Sequence, residues 1–597
     1  MSAANLHIEW AALLVESLVR AGIREAVVSP GSRSTPIVLA AAREKDLRLR
    51  AIPDERSAAF FALGAAKTAG RPILLVCTSG TAGAHMYPAA IEASASHAPL
   101  VVLAADRPPE LHGNAAPQTI DQVRLFGSHA RAYFEIGLPD GTEEGLRGLR
   151  RKAAQAVFAS QFPLPGAVQI NAWFRKPLEP QEPNEEDARL RERIERICAE
   201  PFPAPYPPRA VPGDAGVDAI AELCRRFRRG LIVCGPGPIA AAGARRAVEE
   251  LAETVRYPLL AEGASQLRFT GQANPLRCDA FDVFLRSESF AARHAPQAIV
   301  QIGLPPTSKG WERFLRRVPD CPRAVLAPYG WNDPTNRAAS IVIGAVEETA
   351  AAARDALMDI GRLRATQWTE DFAAADRIAW SVAEEETKSS NALTKGALAR
   401  AIVDSLPRGS LLALGNSLPI REVDSYCPGW MTDTLVWSQK GANGIDGLVS
   451  GAAGAASVFG GPATLYLGDL ALLHDLTGLA AARDLESPFV VVVAQNDGGR
   501  IFEQLPIAGC RDVDPEMLAL WTTPHGLDFA HAALLFNLDY RRAENEASLR
   551  EALAEAHARG GTTLIEAVVP PSGAAAEHAR FIDAVNRRLR SETDAAR

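Results

Sequence analysis

Gly468-Asp469-Leu470, a helical run, and then Phe489-Val490-Val491-Val492-Val493 ending in Gln495-Asn496-Asp497-Gly498-Gly499 form the stretch from which the fold can be read. A carboxylate just after one short apolar strand and a carboxamide just after the next can meet at the carboxyl edge of a parallel sheet, where open α/β sheets bind ligands. Asp469, Asn496 and the backbone carbonyl of Gly498 are hard oxygen donors. They suit a Mg²⁺ ion that keeps further positions for phosphate oxygens. The paired glycines let backbone approach a ligand closely. Taken alone, Gly-Asp and Asn-Asp-Gly are also ordinary turn chemistry.

The chain has 597 residues, enough for about four domains. Its composition is that of a globular enzyme, and a net charge of −8 supplies no general basic surface, which argues against nucleic acid as a partner. Eight cysteines are scattered without a C-x-x-C pair, so neither a zinc site nor a disulfide framework is indicated. Cys77 and Cys234 lie in apolar strand-like runs and are expected in the core. The N-terminus lacks a basic leader segment; Ile8, Ala11, Ala12, Val15, Leu18 and Val19 instead repeat at helical spacing. No apolar run is long enough to span a bilayer, so a cytoplasmic location is expected, with no membrane partner.

The αβ rhythm is interrupted from Lys176 to Pro212, a Pro-, Glu- and Arg-rich surface linker with room for a helix through Glu185–Ala199. A second boundary is expected near Ala383–Asn391. The reading is therefore a unit at 1–180, a linker at 181–211, a middle unit at 212–375, a third unit at 390–570 and a C-terminal tail at 571–597. The outer units share phrasing. Gly70-Arg71-Pro72, the strand from Ile73 to Cys77, a helix, Ala98-Pro99 and the strand from Leu100 to Ala105 parallel Gly460-Gly461-Pro462, the strand from Ala463 to Leu467, a helix, Ser487-Pro488 and the strand from Phe489 to Ala494. Gly64-Ala65-Ala66 and Gly451–Gly454 are small-residue runs expected to let a helix pack closely on a sheet. The parallel points to internal duplication.

The Gly-Asp…Asn arrangement resembles the diphosphate–metal motif of thiamine diphosphate (ThDP) enzymes, with Leu470 for the usual third glycine and Gln495-Asn496 for the usual Asn-Asn. Duplicated α/β units flanking a third match that family's pyrimidine-binding (Pyr)–middle–diphosphate-binding (PP) layout, so three doubly wound parallel-sheet domains are implied. In that family the cofactor lies between a Pyr and a PP domain across a subunit interface. The layout demands a carboxylate for the aminopyrimidine ring nitrogen, in a tuned environment. Glu55, in Asp54-Glu55-Arg56 between a short strand and an apolar helix, is the candidate. An acid at a helix N-terminus is also common for the macrodipole alone.

A more specific likeness comes from an ordered set: Val28-Ser29-Pro30-Gly31-Ser32-Arg33-Ser34-Thr35-Pro36, Asp54-Glu55-Arg56, Thr78-Ser79-Gly80-Thr81-Ala82, Ala105-Asp106-Arg107-Pro108-Pro109-Glu110-Leu111, Gly415-Asn416-Ser417-Leu418-Pro419-Ile420-Arg421 and Gly441-Ala442-Asn443-Gly444-Ile445-Asp446-Gly447. Together they resemble the 2-succinyl-5-enolpyruvyl-6-hydroxy-3-cyclohexene-1-carboxylate synthase family of menaquinone biosynthesis. The resemblance implies decarboxylation of 2-oxoglutarate on ThDP and 1,4-addition of the succinyl-semialdehyde carbanion to isochorismate. Glu55 would be catalytic. Glu55, Gly80, Ile445, Gly468, Asp469 and Asn496 would hold the cofactor, and Asp469, Asn496 and Gly498 the Mg²⁺ or Mn²⁺. Ser32, Arg33, Arg107, Gln118, Lys309, Ser417, Arg421 and Lys440 would meet substrate, since dianions need cations of carboxylate-matching geometry. A homo-oligomer, dimer or tetramer, with sites between Pyr and PP domains of different subunits is implied as well.

Two positions depart from the family. Lys440 stands where an arginine is usual, and Gly310 follows Lys309 where some members carry a second cation. Asp497 adds a charge beside the metal motif. In the middle unit, Gly235-Pro236-Gly237-Pro238-Ile239-Ala240 after a strand, with Glu262 further on, fits a dinucleotide fingerprint. Its two prolines, however, remove N–H groups from the turn that should cradle pyrophosphate. The alternatives are another ThDP-dependent 2-oxo-acid decarboxylase or acetolactate-type synthase, which would not call for Ser32, Arg33 and Arg107, and a non-catalytic binding module of the same fold.

Overall fold

The computed structural model describes residues 3–237, 242–358, 367–388 and 392–595. Three parallel sheets carry the chain. The first holds β1 (Glu25–Val28), β2 (Arg48–Ala51), β3 (Ile73–Cys77), β4 (Leu100–Asp106), β5 (Ala130–Gly137) and β6 (Ala167–Trp173) in the order β2-β1-β3-β4-β6-β5. The second holds β7 (Gly230–Cys234), β8 (Leu259–Ala261), β9 (Ala298–Ile302), β10 (Arg323–Ala327) and β11 (Ser340–Ile343) in the order β11-β10-β9-β7-β8. The third holds β12 (Ser410–Leu414), β13 (Thr434–Ser438), β14 (Ala463–Gly468), β15 (Phe489–Gln495), β16 (Asp539–Ala543) and β17 (Thr562–Val568) in the order β13-β12-β14-β15-β17-β16. The first and third orders are the same permutation, the topological counterpart of the duplicated sequence phrasing. Both sheets reverse winding beside their first strand, the switch point where such sheets bind ligands.

The central strands are buried on both faces: β3 and β4 are buried at every position, as are β7 and β12. Their continuous Val, Leu and Ile runs are what a helix-covered parallel sheet requires. Cys77 and Cys234 sit in these strands as free, buried thiols. No helix among the described residues is long and apolar enough to cross a membrane.

The chain forms two compact units. One comprises Met1–Pro208, Gln439–Gly460 and Asp475–Asp484; the other comprises Arg209–Ser438, Gly461–His474 and Leu485–Arg597. Within the first, the helix Glu55–Ala69 packs on the helix Leu448–Phe459. A Cβ on Gly64 would lie 1.8 Å from the carbonyl oxygen of Gly451, and one on Gly454 would lie 1.9 Å from that of Phe61. The small residues therefore bring helix against helix, not helix against sheet as expected. Two glycine-bearing faces can approach to backbone contact, and neither face could do so against a ridge of side chains.

The Pro-rich segment contains the expected helix, Glu185–Ala199, opened by a capping box between Asn184 and Asp187. It is docked: Leu190 and Ile197 join the core of the first unit, and Asp187 accepts from Asn5 at 2.9 Å. The C-terminal segment is likewise helical over Ala574–Ala595, with Phe581, Val585 and Leu589 in the second unit's core. The boundary expected near Ala383–Asn391 lies partly outside the described residues. Its described part, 383–388, is not a break but the last turns of the helix Gln367–Lys388, and the next helix opens at Lys395, with Thr394 as its cap.

Candidate active site

In the second unit, β14 ends at Gly468 and hands Asp469 to a short helix, while β15 ends one residue before Asn496. Asp469 is buried and held by backbone: Oδ1 accepts Leu470 N–H at 2.7 Å, and Oδ2 accepts the N–H groups of Asn496 at 3.1 Å and Gly498 at 2.9 Å. One arm of the Asn496 amide lies 2.7 Å from the Gly498 carbonyl oxygen and 3.3 Å from Asp469 Oδ2; the other lies 3.1 Å from Lys395 Nζ. With its nitrogen inward, the amide bridges two acceptors. Turned over, its oxygen completes a trio with Asp469 and Gly498, the donor set of a hard divalent cation. These residues fit Mg²⁺ or Mn²⁺.

The backbone explains the glycine. Gly498 has φ +121°, and a Cβ there would lie 2.1 Å from Thr522 O. Asp497 faces away from the trio: its carboxylate accepts the N–H groups of Gly526 at 2.7 Å and His525 at 2.8 Å, bonds that hold it below the usual carboxylate range. Its role is to pin the 525–526 loop. Lys395 was not legible in advance, although it is a cation at the first position of a helix, where the macrodipole disfavours one. Such a placement is a signal that something else holds the charge.

In the first unit, the loops after β1, β3 and β4 converge at the sheet's carboxyl edge. Gly31 lies so close to Thr78 that a Cβ would sit 2.5 Å from its side chain. Gly80, at φ +86°, donates its N–H to Gln122 at 2.9 Å and abuts Gln118. Arg33 is buried, with Nη1 donating to Phe174 O at 2.6 Å. Burial, then the charge of Arg107, lowers its pKa, with Asp106 partly offsetting both. Arg107 donates to Ser79 Oγ and, at 3.3 Å, to Gln118 Oε1. Two neighbouring guanidiniums, Gln118, Gly80 and the exposed Ser32 thus share one edge. Repelling cations held together are poised for an anion.

Glu55 opens the helix after β2 and is half-buried. Its neighbour Asp54 does the capping, accepting from Arg56 N at 2.9 Å, Ser57 N at 3.3 Å and Thr477 Oγ1 at 2.7 Å. Burial opposes the Asp54 charge, but these bonds outweigh it and hold the carboxyl below its usual value. With Asp54 as cap, Glu55 is left for another task. Its field reaches Cys77, whose thiol burial pushes up to about 12 with Glu55 adding to the rise.

Lys440 and Ile445 lie on a loop tied down by Glu92, which accepts Gly441 N–H at 2.8 Å and Ala442 N–H at 2.6 Å. Lys67 stands 3.8 Å from Glu92; burial lowers its pKa and Glu92 draws it back. Neither was singled out by sequence reading. The available signal was a glutamate amid alanines, Ala89-Ala90-Ile91-Glu92-Ala93-Ser94-Ala95, and Glu92 is buried together with Ala89, Ala90 and Ala93.

Lys309 and Arg421 meet at one cleft of the second unit, about 860 Å³ in volume. Lys309 Nζ is 2.7 Å from Glu312, and Arg421 donates to Ser417 O. Ser417 adopts φ 75° and ψ −121°, a strained conformation at the start of the helix Leu418–Tyr426. In the middle sheet the dinucleotide-like turn is spent on packing. A Cβ on Gly235 would lie 1.9 Å from Leu304 O, and buried Glu262 accepts Thr307 N–H at 2.9 Å. The Pro238-Ile239-Ala240 part of that motif lies outside the described residues.

Residues 8–125 match the family model of the thiamine pyrophosphate enzyme N-terminal TPP binding domain, and 429–567 match that of the C-terminal TPP binding domain. Fold and family models together define a thiamine diphosphate enzyme. The chain is 47% identical to 2-succinyl-5-enolpyruvyl-6-hydroxy-3-cyclohexene-1-carboxylate synthase of Sorangium cellulosum, over 98% of this chain and 97% of the relative. Identity to the synthases of Myxococcus xanthus (97% of each chain covered) and Geobacillus kaustophilus (93% of this chain, 94% of the relative) is 40% and 38%. The chain belongs to this synthase family.

Proposed function

We propose that the protein decarboxylates 2-oxoglutarate and joins the remaining four-carbon unit to isochorismate by 1,4-addition, giving 2-succinyl-5-enolpyruvyl-6-hydroxy-3-cyclohexene-1-carboxylate for menaquinone biosynthesis. Thiamine diphosphate, when bound, supplies the nucleophilic carbon and electron sink that this chemistry needs. Asp469, Asn496 and the Gly498 carbonyl would hold a Mg²⁺ or Mn²⁺, which would supply charge neutralisation for the diphosphate, with Gly468 as a further cofactor contact. Glu55 holds and moves the proton at the aminopyrimidine ring nitrogen. Ile445 and Gly80 would be further contacts of the cofactor. Ser32, Arg33, Arg107, Gln118, Lys309, Ser417, Arg421 and Lys440 grip the substrate anions and exclude water from them.

The domains would be Pyr at 1–180, middle at 212–375 and PP at 390–570. The working form would be a cytoplasmic homo-oligomer with sites shared between subunits. Exposed Leu520, Leu534 and Leu535 supply apolar side chains of the kind subunit contacts bury.

The observation that carries this reading is the pairing of Arg33 with Arg107, bonded on to Gln118. A plain 2-oxo-acid decarboxylase has no need of two adjacent guanidiniums at that edge, and the synthase name of the relatives does not favour that alternative. The test is a paired assay with ThDP and Mg²⁺: CO₂ release from 2-oxoglutarate, and isochorismate consumption. Arg33→Gln, Arg107→Gln and Arg421→Gln should each lower kcat/KM about 10- to 100-fold, the worth of a charge-assisted bidentate contact. At least one should impair isochorismate consumption more than decarboxylation. If all three stay within about twofold on both steps, well short of that loss, the substrate assignment fails.

A further inference from the structure

Gly310 is fixed as glycine by its surroundings: a Cβ there would lie 2.1 Å from the carbonyl oxygen of Asp282, so no side chain fits. What closes the space is the turn of Asp282, and that residue is not idle. Its Oδ1 accepts Ser308 Oγ at 2.6 Å and Gly310 N–H at 3.0 Å. Its Oδ2 accepts Arg286 Nη2 at 3.0 Å, and its carbonyl accepts Arg286 Nε at 3.1 Å. Hydrogen bonds and the Arg286 charge more than offset burial and keep Asp282 ionised, its pKa well below the usual range.

Arg286 is thereby clamped along one edge of its guanidinium. The same side chain lines the cleft that Lys309 and Arg421 line, and 14% of it is exposed. Its Nη1 makes no hydrogen bond with another described residue, so the fork presents one free edge. Glu312 and Asp424, also on this cleft, are committed to Lys309 and Arg268. A rigid, pre-oriented guanidinium is the donor geometry a carboxylate takes best.

We propose that Arg286, buttressed by Asp282, is a substrate-carboxylate contact on the cleft it shares with Lys309 and Arg421. The ligand chemistry is a carboxylate of one of the two dianionic substrates. The inference rests on the synthase reading above and goes one residue beyond it.

The experiment measures KM for 2-oxoglutarate and for isochorismate separately in the ThDP–Mg²⁺ holoenzyme, for wild type, Arg286→Lys and Arg286→Gln, with Tm recorded for each. Arg286→Lys keeps a charge for Asp282 but loses the fork. It should retain the wild-type Tm and raise KM for one substrate about tenfold, and Arg286→Gln about 10- to 100-fold, with ThDP affinity unchanged. Whichever KM moves identifies the source of the carboxylate. If Arg286→Lys leaves both KM values within twofold, Arg286 is only a partner for Asp282 and the proposal is overturned. Should wild type turn over neither substrate, the synthase reading itself falls, a result distinguishable from failure of this residue alone.

Discussion

Gly64 and Gly451 face each other across two helices at a distance that admits no side chain: a Cβ on Gly64 would stand 1.8 Å from the Gly451 carbonyl oxygen. The contact ties the helix that begins at Glu55 to the helix that follows the Ile445 loop, both in the first compact unit. The placement of Glu55, the proposed catalytic carboxylate, and of that loop therefore depends on Gly64 carrying no side chain.

Gly64→Ala should accordingly be destabilising, by roughly 1–3 kcal/mol or more as backbone cannot yield like a side chain. Gly148→Ala is the control, because that helical glycine has nothing within 4 Å of its added Cβ. It should gain about 0.5–1 kcal/mol. Thermal unfolding of both variants is the measurement, and equal Tm values would refute the close-packing argument.

Asp469→Ala and Asn496→Ala should each abolish ThDP retention at ordinary Mg²⁺ concentrations. Each removes one oxygen from the trio, and Asp469→Ala also leaves the N–H groups of Leu470, Asn496 and Gly498 without their acceptor. Calorimetric titration of ThDP–Mg²⁺ decides the matter: wild-type affinity in either variant contradicts the metal site.

Glu55→Gln should bind ThDP nearly normally and turn over poorly. Asp54, not Glu55, caps the helix, so the fold should survive the change. General acid–base roles are worth ~10²–10⁴ in rate. A variant keeping more than about a tenth of wild-type kcat, a difference of only ~1.4 kcal/mol, would remove Glu55 from the proton-handling role.

His7 should mark an acid-sensitive step. Burial lowers its pKa to about 4, with the charges of Arg175 and Arg33 adding to the fall and a backbone hydrogen bond at Pro177 opposing it. The unfolded chain binds the proton near 6.5, so between about 6.5 and 4 the unfolded state holds more protons and stability rises with pH. The contribution is whole above about 6.5 and lost as pH falls through about 4. His7→Gln cannot titrate. The stability difference between wild type and variant should thus shrink, or reverse, as pH drops through that window, by on the order of 2–3 kcal/mol at most. Parallel pH profiles in denaturant titrations would count against it.

The motifs legible in the chain were local. Gly468-Asp469, Asn496 and Gly498 are turn residues directly after apolar strands, and Asp54-Glu55-Arg56 is a helix start, so strand patterning alone assigns them to a sheet's carboxyl edge. The ordered arginine motifs carried the family. The strand order of the third sheet then follows the first because the same local phrases recur.

Tertiary structure alone decided the rest, because those relations join residues far apart in sequence, and an unusual residue type can mark a position without naming its partner. Nothing near Glu92 announces that it will receive the N–H groups of Gly441 and Ala442. Nothing near Lys395 points to Asn496, or near Arg286 to the cleft of Lys309 and Arg421. The small residues at Gly64 and Gly451 signalled close approach but not its partner, since a missing side chain specifies how near a neighbour can come and not which neighbour it is. Local sequence sets backbone conformation and the chemistry of a turn; burial, charge pairing and steric exclusion between distant segments exist only once the chain has folded.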